Sequence, residues 1–409
     1  MTELPYLTSD LPGIGGRIKE RIEDFRVDEI PLYPASGQGT HAYAHVLKSG
    51  IPTSVAVDRL ARYMGVRPMD VGVAGMKDSQ AVSTQWLSLE YAHIDKLKRF
   101  RDANVKVLEV TYHTNKLRIG HLAGNRFAIR IRGVGSGQLA VAKRILDVLA
   151  TRGVPNYFGQ QRFGSRGDTG LLGAAMVRRD EEEFVQLFLG RALPDDPPDC
   201  KAARDAFDAG FYDRAIQRWP RHYTDQRHAL IAYKRRRNPT AALAAVDRRL
   251  KRLFVSAFQS HIFNDVLAAR LGGIDRVMLG DLAQKEDSGG VFLVEDLAVE
   301  QPRAERFEIS PTGPVVGTRT NFAQGEPGQL EVDVLNRYQV APDSFERVGG
   351  LTSKGTRRPL RFRMIDPKLT SGSDENFQFI ELTFTAPSGC YATVVLRELM
   401  KAPISGIAE

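Results

Sequence analysis

Residues 71–85 read Val-Gly-Val-Ala-Gly-Met-Lys-Asp-Ser-Gln-Ala-Val-Ser-Thr-Gln and set one carboxylate, Asp78, beside one cation, Lys77, after a short apolar run broken by two glycines. No histidine or cysteine stands nearby in the chain, so a hydrolase-type triad is not suggested. A lone acid in such a turn suits chemistry in which a carboxylate attacks carbon or removes a proton. The plain alternative is a solvated Lys–Asp pair on a surface turn, which contributes little to anything.

The elements that must hold this turn can be read from periodicity. Thr40–Lys48 alternates as a strand. Thr53 or Ser54 is placed to cap a helix running to Tyr63 and ended by Gly65, and Val71–Gly75 reads as a short strand into the turn. Arg17–Ile30 carries Ile18, Ile22, Phe25, Val27 and Ile30 among charges. In Arg126–Arg132, Phe127, Ile129 and Ile131 share one face and Arg126, Arg130 and Arg132 the other. A sheet with an apolar face and a cationic face is compatible with RNA; the alternative is a half-exposed strand made soluble by arginine. Leu139, Ala142, Ile145, Leu146 and Leu149 mark an amphipathic helix, ended by Gly153 and Pro155.

Beyond that point the character changes. A charged helical stretch spans Arg178–Gly190, and a loop rich in Pro and Asp covers 193–199. Two basic clusters follow, Lys234-Arg235-Arg236-Arg237 and then Arg248, Arg249, Lys251 and Arg252. Each is either a solvated helix face or a contact to an RNA backbone. Leu250–Leu271 is strongly helical and stops at Gly272-Gly273. Residues 274–349 are rich in Gly, Pro and short β-type runs such as Val291-Phe292-Leu293-Val294. From Leu360 alternation returns, with Ile380, Leu382 and Phe384 on one strand face and a helix from about Tyr391 to Lys401. The tail resembles the first 150 residues more than the middle does, so one domain built from both chain ends is expected, with the middle inserted.

Composition sets wide bounds. The chain has 409 residues, enough for two or three domains, and 57 Lys plus Arg against 49 Asp plus Glu give a net charge of +8. That excess favours a polyanion, nucleic acid before anionic membrane. Cys200 and Cys390 lie too far apart for a zinc spacing or a disulfide framework, which fits a reducing, cytoplasmic location. His41 and His45 share a strand face with no third ligand in view, so no metal site is expected. No apolar run approaches the ~20 residues that span a bilayer, and no signal peptide is apparent. There is no P-loop or dinucleotide fingerprint, and no cofactor is expected.

Several separated segments resemble the TruD family of pseudouridine synthases. Glu23-Asp24-Phe25-Arg26-Val27-Asp28-Glu29 is similar to the family's N-terminal segment, with Arg17-Ile18-Lys19 before it. Gly75-Met76-Lys77-Asp78, with Ala81 and Gln85, resembles the signature around its catalytic aspartate, and Gly124-Asn125-Arg126-Phe127 its Asn-x-Phe motif. Val154-Pro155-Asn156-Tyr157-Phe158-Gly159-Gln160-Gln161-Arg162-Phe163-Gly164 is close to its most recognisable stretch. Ser256–Asn264 and Ala392–Leu399 follow in family order. Ser79, where the family often has a base, and Ser83, where it has Thr, depart from the pattern without removing a group the chemistry needs.

The resemblance implies an α+β fold: a pseudouridine synthase-type catalytic core with a mixed or antiparallel sheet, residues 1–155 plus 350–409, interrupted by an inserted α+β TRUD domain, 156–349, with RNA in the cleft between them. It implies isomerisation of uridine to pseudouridine in RNA, with uridine 13 in the D-arm of tRNA as substrate. Asp78 would be the catalytic carboxylate. Phe127 would stack on the target uracil, although its apolar neighbours Ile129 and Ile131 equally suit a core residue. Asn125 would bond Asp78 or the base edge, Phe25 would line the pocket, and Lys77 would either act directly or only pack. Lys19 and Glu29 are further candidates, and Arg162 would contact phosphate or hold the hinge. No membrane and no obligate protein partner is implied. The rival readings are an RNA chaperone on the same scaffold with little turnover, a synthase acting mainly on RNA other than tRNA, and a basic RNA enzyme such as a methyltransferase, for which a nucleotide-binding turn is missing.

Overall fold

The structure, a computed structural model, describes residues 4–402 apart from 136, 375 and 376 and from the side chains at 236 and 377. The first stretch runs β1 (Phe25–Pro31), β2 (His41–Ser49), α1 (Thr53–Met64), β3 (Gly72–Val73), β4 (Val82–Glu90), α2 (Ile94–Lys98), β5 (Val105–His113), β6 (Leu122–Arg132), α3 (Gln138–Arg152) and β7 (Val154–Pro155). The middle is mostly helical: α4 (Thr169–Val177), α5 (Glu181–Leu189), α6 (Pro198–Asp208), α7 (Tyr212–Arg218), α8 (Thr224–Arg236), α9 (Pro239–Ala244) and α10 (Arg248–Arg270). Then come β8 (Leu282–Lys285), β9 (Val291–Leu293), α11 (Leu297–Glu305), β10 (Ile309–Val315), α12 (Gly325–Arg337) and β11 (Thr356–Pro359). The last stretch is β12 (Arg361–Phe362), β13 (Ile365–Asp374), β14 (Phe377–Pro387) and α13 (Ala392–Met400).

Two compact units result. One comprises Tyr6–Asn156 with the chain from Phe362 onward; the other is built on Tyr157–Arg361. The second crossing falls later than the sequence boundary at 350 because residues 356–359 pair with β10, Thr312 opposite Pro359 and Val315 opposite Thr356.

The first unit is organised by an eight-stranded mixed sheet in the order β13-β14-β6-β1-β4-β2-β5, with β3 on β4. Only the β1–β4 pair is parallel among those with a described register; β6 lies antiparallel to β1 and to β14. Two rows of side chains cross one face. Lys48, Ser83, Val27, Phe127 and Phe384 are successive cross-strand partners, and Glu29, Asn125 and Ala386 form a second row two residues along, with Gln85 and Val46 beside them by alternation. Helix α1 buries Ala56, Val57, Leu60 and Ala61 against Ala42, Ala44 and Val46 on this face. Helix α3 turns Ala142, Ile145, Leu146 and Leu149 inward and packs on β13 and α13.

Three local expectations change. Pro52 occupies the N-cap of α1 and Thr53 is its first residue, so the Thr53 hydroxyl is not a cap; Gly65 does end the helix, in the left-handed region at φ 79°. The strand expected over Val71–Gly75 shrinks to Gly72–Val73. The stretch Arg178–Gly190 is not one helix: Arg179, at φ 59°, separates α4 from α5.

The arginine face of β6 is also not an open cationic surface. Arg126 is exposed, but Arg130 stands opposite Glu381 of β14 and pairs with it at 2.7 Å. Arg132 is buried, bidentate to Asp24 at 2.7 Å and paired with Asp374 at 2.7 Å. A neighbouring strand and the turn before β1 supply acids that periodicity within β6 cannot reveal.

In the second unit α4 runs antiparallel along α10. A Cβ on Gly170 would meet the His261 ring at 2.2 Å, and one on Gly173 the Phe254 carbonyl oxygen at 2.0 Å. Two helix backbones that close demand glycine. Leu172, Val177, Phe254, Phe258 and Ile262 form the core between them.

Candidate active site

The turn between β3 and β4 is held from both sides. The Lys77 amide donates to Thr53 Oγ1 at 2.8 Å, and the same hydroxyl donates to Gln85 Oε1 at 2.8 Å. Lys48 Nζ donates to the carbonyls of Asp78 (2.6 Å) and Ile51 (2.8 Å). The Gln80 amide donates to Asp78 Oδ1 at 3.1 Å. The backbone of Lys77 and Asp78 is therefore fixed by groups from α1, β2 and β4, and the Thr53 hydroxyl is occupied by this duty.

Adjacent residues of the turn point apart. Lys77 reaches the sheet, with Nζ 2.5 Å from Asn125 Oδ1 and 3.0 Å from Glu29 Oε2. Glu29 Oε1 accepts the Trp86 amide at 3.1 Å. Asp78 Oδ2 instead accepts from Lys19 Nζ. Lys19 adopts φ 57°, a left-handed conformation costing a non-glycine residue roughly 1–2 kcal/mol. Its ammonium lies 4.7 Å from the Phe25 ring centroid.

Five ionic side chains thus gather under one turn: Lys19, Lys48, Lys77, Glu29 and Asp78. Side-chain exposure is 1% for Lys19, 5% for Lys77 and 1% for Glu29, and Lys48 is fully buried, but Asp78 keeps 17%. The only member with an appreciable opening is the carboxylate. Burial pushes the Lys48 ammonium down to about 8, against the pull of the Asp78 charge and with the push of Lys77. Beside the cluster, Phe127 stacks on Phe384 (centroids 5.2 Å) and meets Phe25 edge-on (6.4 Å), and all three rings are buried.

Seven of the eight residues singled out from sequence come together here: Lys19, Phe25, Glu29, Lys77, Asp78, Asn125 and Phe127. Asn125 bonds Lys77 rather than Asp78. Arg162 belongs to the other unit, where it donates to Ser256 Oγ and, at 3.4 Å, to Ser260 Oγ on α10. Sequence reasoning passed over Lys48, took Thr53 only as a helix cap, and took Phe384 only as a strand residue. Lysine at a buried position of an otherwise apolar strand was the available signal for the first. Among the described residues no group of three or more His, Cys, Asp or Glu is placed to hold a metal, and no helix is long and apolar enough to cross a membrane. His45 stacks on Trp86 at 4.8 Å, and His41 is buried.

The α+β scaffold thus presents one carboxylate above an ionic cluster, with aromatic rings alongside and no histidine or cysteine bonded to that acid among the described residues. A model of the family "tRNA pseudouridine synthase D (TruD)" matches residues 1–399. The chain is 44% identical over 400 residues to a Geobacter metallireducens protein named tRNA pseudouridine synthase D, covering 98% of both. It is 40% identical to the Anaeromyxobacter dehalogenans protein of that name, covering 98% of each. A crystal structure from Methanosarcina mazei, described as a candidate tRNA pseudouridine synthase D, superposes with a TM-score of 0.84 at 29% identity, covering 97% of this chain and 96% of that one. The chain belongs to the tRNA pseudouridine synthase D (TruD) family, and it is an isomerase.

Proposed function

We propose that this enzyme converts uridine to pseudouridine in transfer RNA, at uridine 13 of the D-arm, with Asp78 as the catalytic carboxylate. The supporting observation is that Asp78 is the one member of a five-residue buried ionic cluster whose side chain keeps an appreciable opening. The reaction breaks the N1–C1′ bond, turns the uracil, and joins C5 to C1′. The C5 hydrogen is lost and N1 gains one, so no atom is added and no redox partner is consumed.

Two routes use the same group. The carboxylate attacks C1′ and forms an acylal, or it removes the C2′ proton and forms a glycal. Both need the anion in a desolvated site, and Lys19 supplies the counter-charge. Lys77 holds Asn125 by its Oδ1, which leaves the amide Nδ2 as the group offered to a uracil carbonyl. A base turned out of its helix would stack against the aromatic surface at Phe127 and Phe25. An RNA partner accords with the net charge of +8, and the cytoplasm is the compartment this reading calls for.

Purified protein incubated with total tRNA, with pseudouridine mapped at each uridine, tests the reading. Wild type should modify position 13. Asp78→Asn should lose at least about 10³-fold in single-turnover rate while binding tRNA within a few-fold of wild type. Retained turnover in that variant sinks the carboxylate assignment. Pseudouridine made only elsewhere sinks the position, and modification confined to other RNAs redirects the substrate.

A further inference from the structure

We propose that the exposed face of the first turns of α10, with the C-terminal end of α4 and the loop at 346–350, is a surface that tracks an RNA phosphate backbone. This rests on RNA being the substrate. Arg248, Arg249 and Arg252 are exposed on α10, at spacing that keeps them on one side of the helix. Lys251 turns away, buried, with Nζ on the Ala244 carbonyl at 3.3 Å. The antiparallel packing of α4 on α10 brings exposed Arg178 and Arg179 to the same end. A third segment closes on it: a Cβ on Gly349 would lie 3.0 Å from Met176 Cε and 3.2 Å from Lys251 Cδ, and exposed Arg347 stands two residues before it.

These cations are not spent on acids. Among the described residues no ion pair engages Arg178, Arg179, Arg248, Arg249 or Arg252, and Arg347 meets only Glu346, at 3.8 Å. Arg179 and Arg248 donate to the Glu346 and Gly350 carbonyls instead, at 3.2 and 3.5 Å. Of the four acids that follow Arg179, three are engaged elsewhere and Glu182 is exposed. Asp180 caps α5, Glu181 accepts the Thr240 hydroxyl, and Glu183 pairs with Arg191. The cations on α10 also occupy its N-terminal turns, where the helix dipole repels positive charge and where acids, not bases, are favoured; its first turn holds no acid, and Asp247 at the N-cap accepts the Arg249 amide.

Beyond Leu253 the helix turns inward: Ser256 is half-buried and Ser260 buried, and there they hold Arg162. Arg248 to Arg252 spans about 6 Å, one turn of helix, and the arginines at 178, 179 and 347 widen the patch beyond that turn. The other basic cluster behaves differently. Lys234 pairs with Asp213 and Arg237 lies 4.0 Å over the Tyr212 ring, while the side chain of Arg236 lies outside the described residues.

The test is the salt dependence of binding to an unmodified tRNA transcript. For Arg178→Gln/Arg248→Gln/Arg252→Gln the slope of log K against log salt should be shallower than wild type by about two to three. Its KM should rise by about tenfold or more, with kcat the less affected. Arg252→Gln alone should give a smaller step of the same sign, which keeps the test in hand if the triple variant melts early. Lys234→Gln/Arg235→Gln on α8 should keep the wild-type slope. If wild type neither binds nor modifies tRNA, the functional reading fails. If it does both while the triple variant keeps the wild-type slope and KM, the surface alone is overturned.

Discussion

At the scale of single residues, Lys19 and Lys48 both bond Asp78, the first a candidate from the family resemblance and the second unmarked in the sequence. Lys19 lies far along the chain from Asp78, yet its strained backbone aims a buried ammonium at that carboxylate. Lys19→Met leaves Asp78 without its charge partner. Loss of one partner of a buried pair costs up to about 3–5 kcal/mol, discounted here because the carboxylate keeps contact with water. A fall in kcat of about 10²-fold is expected, with Lys19→Arg recovering part of it; equal kcat in Lys19→Met and wild type would remove Lys19 from the chemistry. Lys48 makes a sharper pH prediction. Its folded pKa, about 8, lies below the unfolded value of 10.5. Below pH 8 both states hold the proton and the burial penalty is fully present. Between about 8 and 10.5 the unfolded chain binds more protons, so this group's contribution to stability rises with pH. The melting-temperature advantage of wild type over Lys48→Met should therefore grow from pH 7 to pH 9.5. An advantage that stays flat contradicts the assignment.

At the scale of elements, the turn bearing Asp78 is placed by its neighbours more than by its own glycines. A Cβ on Gly72 would stand 2.3 Å from Ser88 Oγ and 2.5 Å from the Leu117 carbonyl oxygen, whereas on Gly75 the nearest atom is 3.7 Å away. Gly72→Ala should cost about 1–3 kcal/mol in urea unfolding and Gly75→Ala far less; equal costs would show that the close approach at β3 is soft. The two glycines look alike in the sequence because the clash comes from β4 and from residue 117. Thr53 teaches the same lesson. Its type and position before a helical run read as a cap, and Pro52 takes that place while the hydroxyl bridges Lys77 and Gln85. Thr53→Ala should lose about 1–2 kcal/mol and Thr53→Ser should keep most of it, with the rate of turnover following the same order.

At the scale of the whole molecule, the sheet of the first unit is completed by strands from the far end of the chain. β14 pairs with β6 from Phe379 opposite Arg132 to Pro387 opposite Gly124, and Arg132 is tied to Asp24 and Asp374 together. The fragment 6–156 expressed alone should lack a cooperative thermal transition, because β6 would expose a long apolar edge and Arg132 would lose Asp374, keeping only Asp24; a sharp melt would mean that the N-terminal strands form a sufficient core. The sequence by itself determined what is local. Alternation along β2, β6 and β14, the helical spacing of α3, α10 and α13, the left-handed stop at Gly65 and the identity of the acid at 78 are all properties of short windows. Tertiary structure alone decided which strands lie side by side. Packing made Glu29 and Asn125 joint partners of Lys77, buried Arg132, brought Lys19 to the Asp78 carboxylate and Lys48 to the Asp78 carbonyl, and laid α4 antiparallel on α10. Side-chain periodicity assigns a residue to a face of its own element; the partner it meets there depends on which element is adjacent, and that is fixed only when the whole sheet or helix pair has packed.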